Sequence, residues 1–380
     1  MSLDGVTNVL IKILFLKDLP CLDSRECTGI PQEPFHSLAE HCFETAMMTA
    51  VLALEYATEL QWQRAASLGI IHELPRAILS TPAILEPTVL EQALITEIKD
   101  LSPGTRKHLT TLWQEIMQGT RPDATPEAKV MQYAHYIQEE SQRVLMQNQG
   151  YYPNKVEERN ILALVTPPSY LNVLIDMPVA FVDPPNTKKQ LSEKVVHCLY
   201  HIASLKHVLR TGYHNRKIEN GETVAEHTCD TALFGAILTP ELAPECKPEL
   251  VVAQALIHDL CEVISGDPTP GKFSAAEKRQ REQQAFRLII QTLNDHAREE
   301  LIVVYDAYDL NRATGNEAQP APEAGFVENL DRLQTVLQAA RYAKQGNKLM
   351  ADFFPWADQK ITNPRIKEVY HHAKKQIMGE

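Results

Sequence analysis

The sequence has no apolar run long enough to cross a membrane. Its opening residues, 1–19, are broken by Asp4, Lys12, Lys17 and Asp18, which also denies them the uninterrupted apolar centre of a signal peptide. A second greasy stretch, Tyr170 to Val182, is interrupted by Asn172, Asp176 and Pro178. There is no basic excess either. Lys and Arg number 37 against 49 Asp and Glu, a formal charge of −12, so no nucleic-acid polymer is expected as a partner. The seven cysteines form no C-x-x-C pair, and an odd count makes a poor disulfide framework. The expectation is reduced thiols and a cytoplasmic location, with no membrane association. Alternating strand-like segments are scarce. With 44% hydrophobic and 23% charged residues, disorder is excluded as well.

What the sequence does have is histidine, fourteen of them, and an internal repeat. Ser37-Leu38-Ala39-Glu40-His41 and Thr223-Val224-Ala225-Glu226-His227 share one pattern, and each is an S/T-x-x-E capping box opening an apolar helical run. Gly69-Ile70-Ile71-His72-Glu73-Leu74 answers Ala255-Leu256-Ile257-His258-Asp259-Leu260. Both histidine pairs (227 − 41 and 258 − 72) are 186 residues apart, a shared offset that chance does not readily give.

Helical periodicity dominates both halves. Val251, Val252, Ala255, Leu256 and Leu260 fall on one stripe of Pro248 to Ile264. Residues 150–190 are dense in Pro and Gly, and Asn311 to Gly325 reads as a second loop. The predicted architecture is all-α, with two tandem helical domains. Residues 1–165 form the first, 166–190 a Pro-rich linker, and 191–380 the second.

The chemistry concentrates in the second half. A hydrolytic metal site needs neutral imidazoles and carboxylates converging from different elements, with one position open to water. His227 starts one helix, and His258-Asp259 end another. Asp331 is the best fourth ligand, an acid inside the apolar pattern Phe326, Val327, Leu330, Leu333. A lone carboxylate is rarely buried there without a partner or a metal. Glu262 follows His258 by one turn, and Asp267 lies in Gly266-Asp267-Pro268-Thr269-Pro270-Gly271-Lys272. Both are near enough to act as general acid or base, and Lys272 is placed to face an anion.

The ordered set His227, His258-Asp259 and Asp331 resembles the signature of the HD-domain metal-dependent phosphohydrolases. With Arg210-Thr211-Gly212-Tyr213, His258-Asp259-Leu260-Cys261-Glu262 and Gly266-Asp267-Pro268-Thr269-Pro270, it is similar to the HD-domain 5′-deoxynucleotidases across most of residues 195–380. The resemblance implies HD-like helical domains. It further implies one divalent ion (cobalt, manganese, magnesium or zinc) on His227, His258, Asp259 and Asp331. The implied reaction removes the 5′-phosphate from a (deoxy)ribonucleoside monophosphate. Glu262 and Asp267 would handle the water and the leaving 5′-oxygen, Arg210 and Lys272 the phosphoryl charge, and Tyr213 the sugar, where the family has a tryptophan. Two other readings fit the same residues: another phosphoester (a triphosphate, a cyclic nucleotide or an alarmone), and a non-catalytic sensing or scaffolding module.

The first repeat keeps His41 and His72 but replaces the acids. Glu73 stands for Asp259, Arg76 for Glu262 and Thr81 for Asp267. Ala134 aligns with Asp331, and His135 beside it is a substitute ligand. This half is therefore expected to be catalytically inactive. The family forms homodimers, so the fused copy is expected to pair with the second repeat as a built-in partner, or the chain to form a homodimer.

Overall fold

A computed structural model describes residues 2–21, 36–81, 85–148, 191–269, 271–314 and 322–380. The linker expected at 166–190 lies outside these. Among the described residues there is no β-strand, only two isolated bridges, Pro20 to Ser37 and Leu209 to Thr223, one before each capping box. The first repeat contributes α1 (Leu3–Ile13), α2 (Leu38–Tyr56), α3 (Trp62–Ile71), α4 (Leu74–Leu79), α5 (Pro87–Glu97), α6 (Pro103–Gln118) and α7 (Pro126–Asn148). The second contributes α8 (Glu193–Ser204), α9 (Thr211–His214), α10 (Val224–Leu242), α11 (Pro248–Ile257), α12 (Glu262–Ser265), α13 (Ala275–Ile290), α14 (Asp295–Thr314), α15 (Pro322–Lys344), α16 (Phe353–Lys360) and α17 (Pro364–Met378). The all-α expectation, with two HD-like units in tandem, holds.

The central helices α2 and α10 begin at the two predicted capping boxes. Ser37 Oγ and Thr223 Oγ1 each accept from the amide three residues on, and Glu40 and Glu226 accept from the Ser37 and Thr223 amides. Neither helix is amphipathic in the usual sense. Every residue from Leu38 to Leu54 in α2 is buried, because α3 and α7 cover one side and α10 the other. A helix buried all round belongs in the middle of a core. Gly69 in α3 allows a close backbone approach: a Cβ there would meet Ala46 Cα of α2 at 2.7 Å.

The two repeats share one contiguous core, with α10 and α11 of the second packed on α2 and α3 of the first. Their capping boxes are also interlocked. Ser37 Oγ donates to Glu226 Oε1 at 2.9 Å, and Thr223 Oγ1 donates to Glu40 Oε1 at 3.1 Å. Each glutamate thus closes its own helix and holds the other repeat's cap. Within the chain, α2 and α10 pack on each other beside these reciprocal bonds. The first helix, α1, closes the molecule by packing on the last, α17.

One expected loop is shorter than predicted. α14 runs on to Thr314 and α15 starts at Pro322, so both flanks of Asn311–Gly325 are helical. Asn311 is buried, its amide donating to Glu328 at 3.2 Å, and this extends the helix beyond what Ala, Pro and Gly content suggests.

Candidate active site

His227 sits in the first turn of α10, His258 where α11 ends, and Asp331 on α15. Ligand atoms of these three side chains lie within 4.8 Å of one another. Asp259 joins them, its Oδ2 3.2 Å from His258 Nε2 and 3.7 Å from His227 Nε2. Asp331 Oδ1 is 3.1 Å from His227 Nε2. The structure therefore brings all four sequence-predicted ligands together.

Whether they suit a metal is tested by the imidazole tautomers. His227 Nδ1 donates to Gln334 Oε1 and His258 Nδ1 to the Ala255 carbonyl, each at 2.6 Å. Gln334 is fixed in that orientation because its amide nitrogen donates to Glu222 and Asp230 at 2.8 and 3.2 Å. In the neutral rings both Nε2 atoms then carry the lone pair, buried and without a well-directed hydrogen bond. Orphaned buried nitrogens facing two carboxylates are the arrangement a divalent ion satisfies. Asp259 is held well below the carboxylate range, its burial overcome by His258 and Arg210. Asp331 is likewise lowered, against its burial, chiefly by His227.

Asp259 and Asp331 line a cleft of about 730 Å³, with His227 and His258 buried against them. Arg210 enters from the segment before α9, donating to Asp259 Oδ2 at 3.2 Å and Thr335 Oγ1 at 3.0 Å, with Asp331 4.0 Å away. Glu262 opens α12 and is 3% exposed, and its Oε2 has no hydrogen-bond partner. Burial pushes its carboxyl well above the usual range, and the Asp259 and Asp267 charges push it further the same way. Gly266 turns the chain at φ +69°, a conformation that favours glycine, and so swings Asp267 back. There Asp267 Oδ2 accepts from the Thr211 amide at 2.7 Å.

Two expected substrate contacts are placed differently. Lys272 is exposed, its ammonium 5.5 Å from the Phe273 ring centre, and it is not among the residues lining the cleft. The turn after Gly271 points it away. Lys278 and Arg312 line the cleft, both held by buried Glu282 at 3.2 and 3.3 Å. Tyr213 borders the cleft but is 1% exposed, and its hydroxyl donates to the Thr335 carbonyl at 2.7 Å. Phe353 and Trp356, both half-buried, form the aromatic face that is open to the cleft.

The first repeat builds the same frame. Gln138 Oε1 accepts from His41 Nδ1 at 2.6 Å, as Gln334 does from His227. Gln138 follows His135 by three residues, as Gln334 follows Asp331. The counterpart of Asp331 is therefore His135, and the alignment with Ala134 is corrected. Likewise Cys21 stands where Arg210 stands: each donates its amide at 3.0 Å to the residue before a capping-box N-cap, His36 or Glu222.

Helices converging two buried imidazoles on two carboxylates that line a cation-rimmed cleft define a metal-dependent hydrolase of the histidine–aspartate type. A family model described as HD domain matches residues 24–162 and 202–371, and the chain belongs to that family, within its 5′-deoxynucleotidases. It is 30% identical to mouse 5′-deoxynucleotidase HDDC2 over 171 residues, covering 44% of this chain and 80% of that one. The fission yeast 5′-deoxynucleotidase hdd1 is 30% identical over 192 residues, 48% of this chain and 88% of its own. Among solved structures, a conserved hypothetical protein from Pyrococcus furiosus matches at 22% identity with a TM-score of 0.39, over 48% of this chain and 98% of that one.

Proposed function

We propose that the second repeat removes the 5′-phosphate from (deoxy)ribonucleoside monophosphates, in the cytoplasm, using one divalent ion held by His227, His258, Asp259 and Asp331. The observation that carries this reading is the pair of orphaned, buried Nε2 atoms facing two carboxylates on the floor of a cation-rimmed cleft. When bound, the ion supplies a Lewis acid for a phosphate oxygen and lowers the pKa of water at its open position.

The chain's own groups do the rest. Arg210, Lys278 and Arg312 offset the phosphoryl charge, with Glu282 fixing the last two side by side. Phe353 and Trp356 offer a surface for the nucleobase, and the Tyr213 ring backs the sugar position. Water adds to phosphorus and the P–O5′ bond breaks. Asp267 takes a proton from the water, and Glu262, kept protonated by burial, gives one to the departing 5′-oxygen. The cleft volume suits a single nucleotide. The free thiols of the six described cysteines support a reducing compartment. The intramolecular pairing of repeats takes the part a second copy would play.

The test is phosphate release from ribo- and deoxyribonucleoside mono- and triphosphates by chelator-stripped protein, with each divalent ion restored in turn. Release from monophosphates, absent in Asp259→Ala, is expected. Release from triphosphates alone, or full activity of Asp259→Ala, overturns the reading.

A further inference from the structure

All four ligand positions of the first repeat still carry donors, although none of its acids survives in its original form. Ligand atoms of His41, His72, Glu73 and His135 lie within 4.8 Å of one another. The three imidazole centroids form a near-equilateral triangle with sides of 5.0, 5.0 and 4.9 Å. His41 and His72 are 1% and 8% exposed.

The protons of two of these rings can be placed. His41 Nδ1 donates to Gln138 Oε1 and His72 Nδ1 to the Gly69 carbonyl, both at 2.6 Å. Gln138 cannot be flipped, because its amide nitrogen donates to Glu44 at 3.0 Å and to His36 at 2.9 Å. The two Nε2 lone pairs therefore face each other, 2.9 Å apart and buried. Such an approach is repulsive unless a cation lies against both. Two nitrogens bound to one tetrahedral ion at about 2.0–2.1 Å stand roughly 3.3 Å apart, so a few tenths of an ångström of spreading admits one.

We propose that the first repeat holds a second metal ion of its own, on His41, His72, Glu73 and His135, and that this ion is structural and zinc-like. Between the repeats the donor set changes from two imidazoles and two carboxylates to three imidazoles and one carboxylate. Imidazole-rich sets favour zinc and its neighbours over magnesium or manganese. The position of Arg210 is taken by Cys21, whose thiol lies with ring nitrogens of His36 and His41 inside 4.8 Å, a softer surround again. Arg76 fills the place of Glu262 and pairs with Glu73 at 2.8 Å, and Thr81 fills that of Asp267. Neither of these two replacements is a carboxylic acid that can hand a proton to a leaving group. The ion instead ties α2, the end of α3 and α7 to one point.

The test is elemental analysis of the full chain after chelation and reloading with zinc, then with cobalt. Two ions per chain are expected in the unaltered protein and one in His135→Gln, whose helical circular dichroism stays unchanged. Asp331→Asn loses the other ion, and the double variant loses both. The cobalt form gives the intense visible bands of a tetrahedral centre, kept in Asp331→Asn and lost in His135→Gln and Glu73→Gln. One ion per chain, indifferent to His135→Gln and Glu73→Gln, means that the two imidazoles share a proton and overturns the proposal. Two ions that both survive these substitutions overturn it too, by placing the second ion elsewhere. Because the readout is metal content and not turnover, this outcome is separable from the fate of the proposed phosphatase.

Discussion

The two repeats share a scaffold down to the hydrogen bond that orients the first histidine, and differ at the positions where protons would move. In the second, buried Glu262 and the Asp267 turned back by Gly266 flank the ligands. In the first, a guanidinium and a hydroxyl stand in those places, while every ligand position keeps a side chain that can bind metal. The comparison teaches that ligand-type positions and proton-handling positions of one frame can change independently. Positions that orient imidazoles are the same in both halves because misplaced rings cost the fold an unsatisfied buried nitrogen in either one. The proton-handling positions carry no such structural debt.

The largest effect expected from probing this contrast is at Glu262. Glu262→Gln keeps the volume and removes the proton, and should lower kcat about 10²–10⁴-fold with metal content unchanged. The reciprocal change, Arg76→Glu, should leave total phosphate release within about twofold, because Cys21 and Thr81 still fail to complete a site. A first repeat awakened by that single substitution would break the comparison.

Next in size is a pH effect where the two halves meet. Burial, with the Glu226 charge beside it, raises Glu40 from 4.5 to about 8. The folded chain then binds a proton that the unfolded chain releases, so this contribution is intact below about 4.5 and is lost as pH rises through about 8. Glu40→Gln should remove it, stabilising the protein at the alkaline end by on the order of a few kcal/mol. Thermal melts across that range should show a flatter profile in the variant. An unchanged slope would mean the proton resides on Glu226.

The smallest expected effect is in the caps. Ser37→Ala removes one box bond and one bond to the other repeat, and should cost about 1–2 kcal/mol in denaturant titrations. The unfolding transition should stay single, because one core runs through both halves. Two separated transitions would show that the halves melt independently.

Much of this was legible in the sequence. Capping boxes at Ser37 and Thr223 and the paired motifs at His72 and His258 give helix starts, the repeat and the ligand set, since each is a local signal a few residues long. The counterpart of Asp331 was misplaced because the motif offset of 186 is not kept to the third element, where His135 and Asp331 are 196 apart. Only the glutamine three residues on, Gln138 or Gln334, marks the true register, and its meaning is a hydrogen bond between helices distant in sequence. Lys278 and Arg312 were hidden in a mixed-sign run and a loop margin. Glu282, buried between them, draws both toward the cleft, and nothing local announces that it is buried.

The interlocked caps carry a last consequence, for descent. In a dimer of identical subunits, every change to one centre appears in the other, so a lineage cannot surrender one and keep its twin. Here Ser37 reaches Glu226 while Thr223 reaches Glu40 within a single polypeptide. The two sides of that handshake already differ. Fusion has made them separate inheritances, free to accumulate different substitutions while the clasp between them persists.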